Sequence, residues 1–219
     1  MNQTHPINDG LLMIHKIISR GLKNAIKKCH DFENSDTVTP VAIQGFSQYL
    51  TALKNIVHSH HLGEDDVVFP FFRSKLEAPF DLLAEDHKQI SKILEELDRI
   101  VPQLTSEKIG QVASLLEKMD ILWEPHCRIE EQWFSVEKLE SLAEKPDEEK
   151  LAEEVSKHGL KHAGPGYLAL PFVLYTLDSE ERKAVNSDLP WMVKRVLLPV
   201  VWKKRWKAME PFLSYYRKN

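Results

Sequence analysis

Cysteine is almost missing from this chain: Cys29 and Cys127 are the only two in 219 residues. Two thiols cannot staple a disulfide scaffold, and a chain of this length buries a core without one. A reducing compartment, the cytoplasm, is therefore expected. Glycine is scarce as well, with eight residues, which leaves little material for flexible linkers and argues against disorder. No uncharged apolar run approaches the roughly 18 residues that a membrane-spanning helix needs. The opening MNQTHPINDG lacks the basic segment and apolar core of a secretory signal. There is no GxGxxG, no P-loop and no flavin motif, no local context for a Ser/His/Asp or Cys/His nucleophile, and no internal repeat of solenoid length.

What remains is ordinary for a folded protein, with 42% hydrophobic and 28% charged residues. The net charge of −4 is unevenly spread. Pro190 to Asn219 hold eight Lys/Arg against Glu210, a net +7, so residues 1 to 189 carry −11. One core with an appended basic piece fits the length and this asymmetry.

Up to about residue 140 the apolar residues recur at three- and four-residue steps, the mark of amphipathic helices. The first run, capped at Asn8 or Asp9, places Leu11, His15, Ile18, Leu22, Ala25 and Cys29 on one seam. The second follows Thr39-Pro40 and carries Phe46, Leu50, Leu53, Val57, His60, Glu64, Val67 and Phe71. After Pro79 the third has Leu83, His87, Ile90, Leu94, Leu97 and Val101. The fourth opens at Thr105 or Ser106 and carries Val112, Leu116, Met119, Trp123, His126, Glu130 and Trp133. Four long runs with short connections and no strand-like alternation predict an all-α antiparallel up-down four-helix bundle over residues 1–145. Residues 146–219 read as a helical extension of shorter, proline-punctuated pieces folded against it.

Each seam is interrupted by histidine, most densely in HSHHLGEDDVVFP at residues 58–70. One core histidine is commonly just a hydrogen-bonded core residue, but four imidazoles and two carboxylates in one apolar layer need shared partners, and metal ions serve best. His15, His60, His87 and His126 fall near the middle of their runs. His60 and Glu64, like His126 and Glu130, stand one turn apart on a face, so each helix offers a nitrogen and an oxygen to the same place. Mixed imidazole and carboxylate ligation suits iron, manganese or zinc better than calcium or magnesium. Gly63 and Pro125 interrupt two helices beside this cluster, a local penalty tolerated most often at sites.

His15, then HHLGED with FP after it, then DHKQI from Asp86, then HCRIEE from His126 resemble the hemerythrin family in its HHE cation-binding branch, over residues 8 to about 140. The resemblance implies a non-haem centre of two iron ions, with zinc or manganese as substitutes, held by His15, His60, His87 and His126 and bridged by Glu64 and Glu130. One position departs from the oxygen-carrying members: Ser91 stands where the third helix supplies a second histidine. His61, beside His60, is the nearest replacement ligand. The alternative leaves one iron a position open to water and substrate. His158 and His162, an HxxxH pair, could also fill the gap, although a polar helix face packed on the bundle is the plainer reading. Glu131 would support a ligand from behind. Cys127, pointing away from His126, reads as a small buried residue, and His5, His30 and His58 as surface residues.

Three functions are compatible with this pattern. The centre binds or senses dioxygen or a related small oxidant; or it is an oxidase or oxygenase whose substrate pocket is walled by the C-terminal extension and whose electron donor is another molecule; or the metal only completes the fold. Binding or sensing is placed first. The tail, with Trp191, Trp202 and Trp206 among six cations, is expected to dock on the acidic bundle in preference to a membrane surface. The −11 charge of the remainder argues against nucleic acid.

Overall fold

In the computed structural model, which describes residues 5–140, 142 and 145–215, every regular element among the described residues is helical. Helix α1 (Pro6–Glu33) and α2 (Pro40–Gly63) are succeeded by a π-helical turn (Glu64–Val68), α3 (Phe69–Phe72), α4 (Phe80–Ile100) and, after two 3-10 turns, α5 (Ile109–Trp133). Shorter pieces complete the chain: α6 (Val136–Leu139), α7 (Lys145–His162), α8 (Gly166–Thr176), α9 (Ser179–Asp188), a π-helical segment (Val193–Val201), α10 (Lys203–Trp206) and a 3-10 segment (Lys207–Phe212).

Thr39 caps α2 as anticipated, its side chain accepting from the Ala42 N–H at 3.2 Å. The start of α1 differs from the sequence reading. His5, with extended backbone, is the N-cap and Pro6 fills the first turn, where its missing N–H is no loss. Asn8 instead turns inward and donates to the Phe134 carbonyl at 2.9 Å.

The end of the second run also needs correcting. Pro70 has no N–H to return to the preceding turn, and just before it the backbone widens, with the Phe69 N–H bonding to the Glu64 carbonyl. The extra residue rotates the next helical turn by about 100°. Val68 and Phe72 are buried in consequence, while the expected Val67 and Phe71 are only half-buried.

The long helices meet through specific pairs. Trp123 of α5 donates to Ser19 of α1, and His30 lies beside Glu117. Tyr49 of α2 donates to the Gly21 carbonyl of α1; Ser47 and Lys54 of α2 meet the Val101 carbonyl and Asp98. The main hydrophobic core joins Leu22, Leu53, Leu94 and Leu116 to Phe172, Trp206 and Phe212 of the C-terminal region. Gly45 makes this docking close, because a Cβ there would collide with the Ala208 carbonyl. A second cluster gathers Phe69, Phe72, Phe80, Phe134 and Leu151. Among the described residues, no helix is long and apolar enough to cross a membrane.

Candidate metal centre

All seven sequence-selected residues converge between α1, α2, α4 and α5. One potential ligand atom from each of His61, Glu64, His87 and His126 lies within 4.8 Å of the others, and the same holds for His15, His60, Glu64 and Glu130. Glu64 is common to both groups. The π-helical turn begins at Glu64 and thus joins its backbone to the last turn of α2, which carries His60 and His61. His15, His61, His87 and His126 are at most 3% exposed, Glu64 4% and Glu130 0%, and the side chain of His60 is buried too.

The distances have the scale of a coordination shell. His15 Nε2 is 3.0 Å and His126 Nε2 3.2 Å from Glu130 Oε2. His87 Nε2 is 3.2 Å from His126 Nε2, and His60 Nε2 and His87 Nε2 are each 3.5 Å from Glu64 Oε2. Atoms about 2.1 Å from a common ion, at right or tetrahedral angles, stand roughly 3.0–3.4 Å apart. His60 Nε2, both ring nitrogens of His61, Glu64 Oε2 and Glu130 Oε1 are buried without a hydrogen-bond partner. Protein interiors rarely leave so many polar atoms unpaired in one place, and a pair of cations would satisfy most of them together, with one of the two His61 nitrogens among those satisfied. The residues therefore fit a metal centre.

Behind the rings stands a layer of carboxylates. His15 Nδ1 meets Glu131 at 2.9 Å, His87 Nδ1 meets Asp65 at 2.9 Å, and His126 Nδ1 faces Asp86 at 3.5 Å. The two hydrogen-bonded partners fix the tautomers of His15 and His87 and aim Nε2 inward, whereas His126 Nδ1 makes no hydrogen bond. Glu131 was anticipated; Asp65 and Asp86 were missed, although both adjoin a ligand motif in the sequence. Trp123 edges against His15 and His60, and Phe69 stacks on His87, so these aromatics wall the centre as well as fill the core.

The charges are arranged unevenly. Burial pushes the His60 and His61 imidazoles well below their ordinary 6.5, with neighbouring histidines adding to the effect. Both are thus neutral, the form a metal accepts. Burial, reinforced by the charge of Glu130, pushes the Glu64 carboxyl well above its ordinary value. Burial opposes ionisation of Glu130 and protonation of His15. Hydrogen bonds overcome it: His126 and His15 hold Glu130 well below the usual carboxylate range, and Cys127, Glu130 and Glu131 hold His15 well above 6.5.

Other candidates fall outside. Ser91 belongs to neither group, and neither do His158 and His162, which stack at 4.5 Å while His158 pairs with Asp66 at 3.1 Å. His58 and His30 are exposed as expected. His5 is not the surface residue anticipated: it is 2% exposed and lies 3.0 Å from Glu148, a partner too distant in sequence to foresee. Cys127 is buried, and burial pushes its thiol up to about 11, which removes thiolate reactivity at neutral pH.

A cavity of about 730 Å³ borders the centre. His60 and Glu64 form part of its wall, Leu11 and Ile14 of α1 line one side, and Val155, Leu170 and Val193 from beyond residue 145 line another. The family model described as the hemerythrin HHE cation binding domain matches residues 7–136. No curated protein and no solved structure matches the chain.

Proposed function

Because the chain belongs to the hemerythrin HHE cation-binding domain family, we propose that it is a non-haem di-iron protein that binds or senses dioxygen or a related small oxidant. The carrying observation is the pair of four-residue groups built from seven side chains, with Glu64 in both. In this reading His61, Glu64, His87 and His126 would hold one ion and His15, His60, Glu64 and Glu130 the other, with Glu64 shared by both. Glu130, whose Oε2 also reaches His126 Nε2 at 3.2 Å, would be the second shared carboxylate. The surrounding helices α1, α2, α4 and α5 form an antiparallel up-down bundle. Partners that ascend in one helix and descend in the next support this: Asn8 with Phe134, Ser19 with Trp123 and His30 with Glu117, and Ser47 with Val101 and Lys54 with Asp98.

Five imidazoles with two carboxylates favour iron, with zinc or manganese as substitutes, over calcium or magnesium. When bound, iron supplies reversible electron exchange with a small oxidant. The chain's part is to fix the His15 and His87 rings through Glu131 and Asp65, and to keep bulk water away with Trp123 and Phe69.

One observation favours a second reading, a di-iron oxidase or oxygenase supplied with electrons by a separate donor. The C-terminal extension, residues 146–219, helps enclose a cavity whose wall includes His60 and Glu64. Iron, zinc and manganese per chain, together with oxygen uptake, test both. Near two irons and a stable spectral change on adding oxygen to reduced protein support binding. Consumption well beyond one equivalent per centre with reductant supports the enzyme. Negligible metal in folded protein overturns both.

A further inference from the structure

We propose that the cavity beside the centre is a binding site for an uncharged, largely hydrocarbon small molecule that lies against His60 and Glu64. The proposal rests on the metal-centre reading only for what the far end of that molecule meets. Its volume, about 730 Å³, falls in the range of roughly 300–1,000 Å³ typical of small-molecule sites. The space opens to solvent beside Leu160, which is 78% exposed, so a small molecule can enter without unfolding the wall.

The lining selects the ligand's chemistry. Ile7, Leu11, Ile56, Val155, Leu170 and Val173 are representative, and among the described residues the wall contains no Lys, Arg or Asp. Without metal at His60 and Glu64, no described residue there neutralises a carboxylate or phosphate, whose burial without a counter-charge is prohibitive. The hydroxyls are those of Ser59 and Ser156, and Ser59 already donates to the Gly159 carbonyl at 2.9 Å, so a sugar-like ligand would find few partners. The unpaired polar atoms on the wall belong to the two residues that face the centre, His60 Nε2 and Glu64 Oε2.

Glycine placement points the same way. Five of the eight glycines line this space. Glycine inside a helix is unfavourable beside alanine, yet Gly10 of α1 and Gly63 of α2 have nothing within 4 Å of where a Cβ would sit, and Gly159 of α7 only the Ser59 hydroxyl at 3.7 Å. These positions are bare where the helices face the cavity, and the bareness keeps it wide.

The test titrates full-length protein, iron-loaded and iron-depleted, with the neutral fluorophore N-phenyl-1-naphthylamine. It is then displaced by decan-1-ol, decanoate or decyltrimethylammonium. From the iron-depleted protein decan-1-ol should displace it at least about tenfold more effectively than either ion. Gly10→Phe, which fills open space away from the ligand atoms, should weaken probe binding roughly tenfold, about 1.4 kcal/mol, with helicity and iron content unchanged. Absent probe binding, equal displacement by decanoate from iron-depleted protein, or wild-type affinity in Gly10→Phe would overturn the proposal. Two irons per chain without probe binding sinks this inference alone. Specific displacement by decan-1-ol in protein that takes up no metal supports the apolar site while sinking the di-iron reading.

Discussion

Replacing His61 by leucine should shift stability in opposite directions with and without metal. His61 is 3% exposed, both ring nitrogens lack a hydrogen-bond partner, and its ring stacks on that of His87 at 4.0 Å. A buried polar group left unpaired costs about 1–3 kcal/mol. Burial also keeps the ring neutral at pH 7, so the substitution removes no charge. Leucine deletes two unpaired nitrogens with a similar bulk, and the metal-free variant should be more stable by about 2 kcal/mol. With metal the sign reverses. His61 is one of four residues in its group, and losing it should leave one ion per chain in place of two. Bound metal stabilises by RT ln(1 + [M]/Kd), so each tenfold loss of affinity removes about 1.4 kcal/mol. Urea unfolding at pH 7, with added iron and with chelator, measures both arms, and elemental analysis gives the stoichiometry. A leucine variant that retains two ions at unchanged affinity, or that is less stable than the parent when metal-free, would refute the assignment.

Asp65→Ala, which leaves the His87 ring unsupported, should weaken metal binding about 10- to 100-fold while full loading is still reached at high metal; chelator competition that shows no change would contradict this. Glu181, held by Arg20 at 3.2 Å and Lys16 at 3.0 Å, has its carboxyl lowered to about 2 although burial alone would raise it. A lowered folded value stabilises above the unfolded value near 4.5 and is lost as pH falls toward 2. Glu181→Gln, which can keep the cap bond to the Asp178 N–H, should therefore be about 1 kcal/mol less stable at pH 7, discounted for the partial exposure of both cations, and match the parent near pH 2. A deficit that persists at pH 2 would show that the ion pairs are not its source. Gly45→Ala, which drives a methyl into the Ala208 carbonyl, should destabilise by about 1–3 kcal/mol; an unchanged urea midpoint would mean that the Lys207–Phe212 segment is not pressed against α2 there.

How much could be read beforehand depended on whether a residue's role was set by its own helix. Histidine at a seam position is locally encoded, since the period that marks Leu11 or Ile90 as core marks His15 and His87 as well, and so six of the seven clustered residues were visible; His61, off that seam, came only from the resemblance, as the replacement for a ligand missing at Ser91. The registers of α1, α4 and α5 were legible for the same reason. The π-helical turn was not visible, because one inserted residue leaves the apolar content of DDVVFPFF intact and changes only which members face inward. Asp65 and Asp86 look like solvated acids until a ring from another helix stands in front of them. His5 has the same difficulty, its partner Glu148 being far along the chain. The cavity depends on the separation of α1 and α2 from α7 and α8, which no periodicity encodes. The one trace of it in the sequence was Gly63, out of place in its helix, whose open surroundings now explain it.

The centre has a supported side and an open side, and the difference bears on how it would be approached. On the supported side a carboxylate holds the His15 and His87 rings and Asp86 faces His126 at 3.5 Å, and a ring held by such a bond would resist rotation when a ligand on a bound metal changes. On the open side stand His60 and Glu64, the two centre residues that also border the cavity. Trp123 and Phe69 close much of the remainder. A molecule coming through the cavity thus meets His60 and Glu64 first, across an apolar wall that retards water and ions. Glu64 belongs to both groups, so whatever moves its carboxylate acts on both at once. A cavity ligand pressing on Glu64 would for that reason change the two positions together, whereas one touching a supported histidine would change only one.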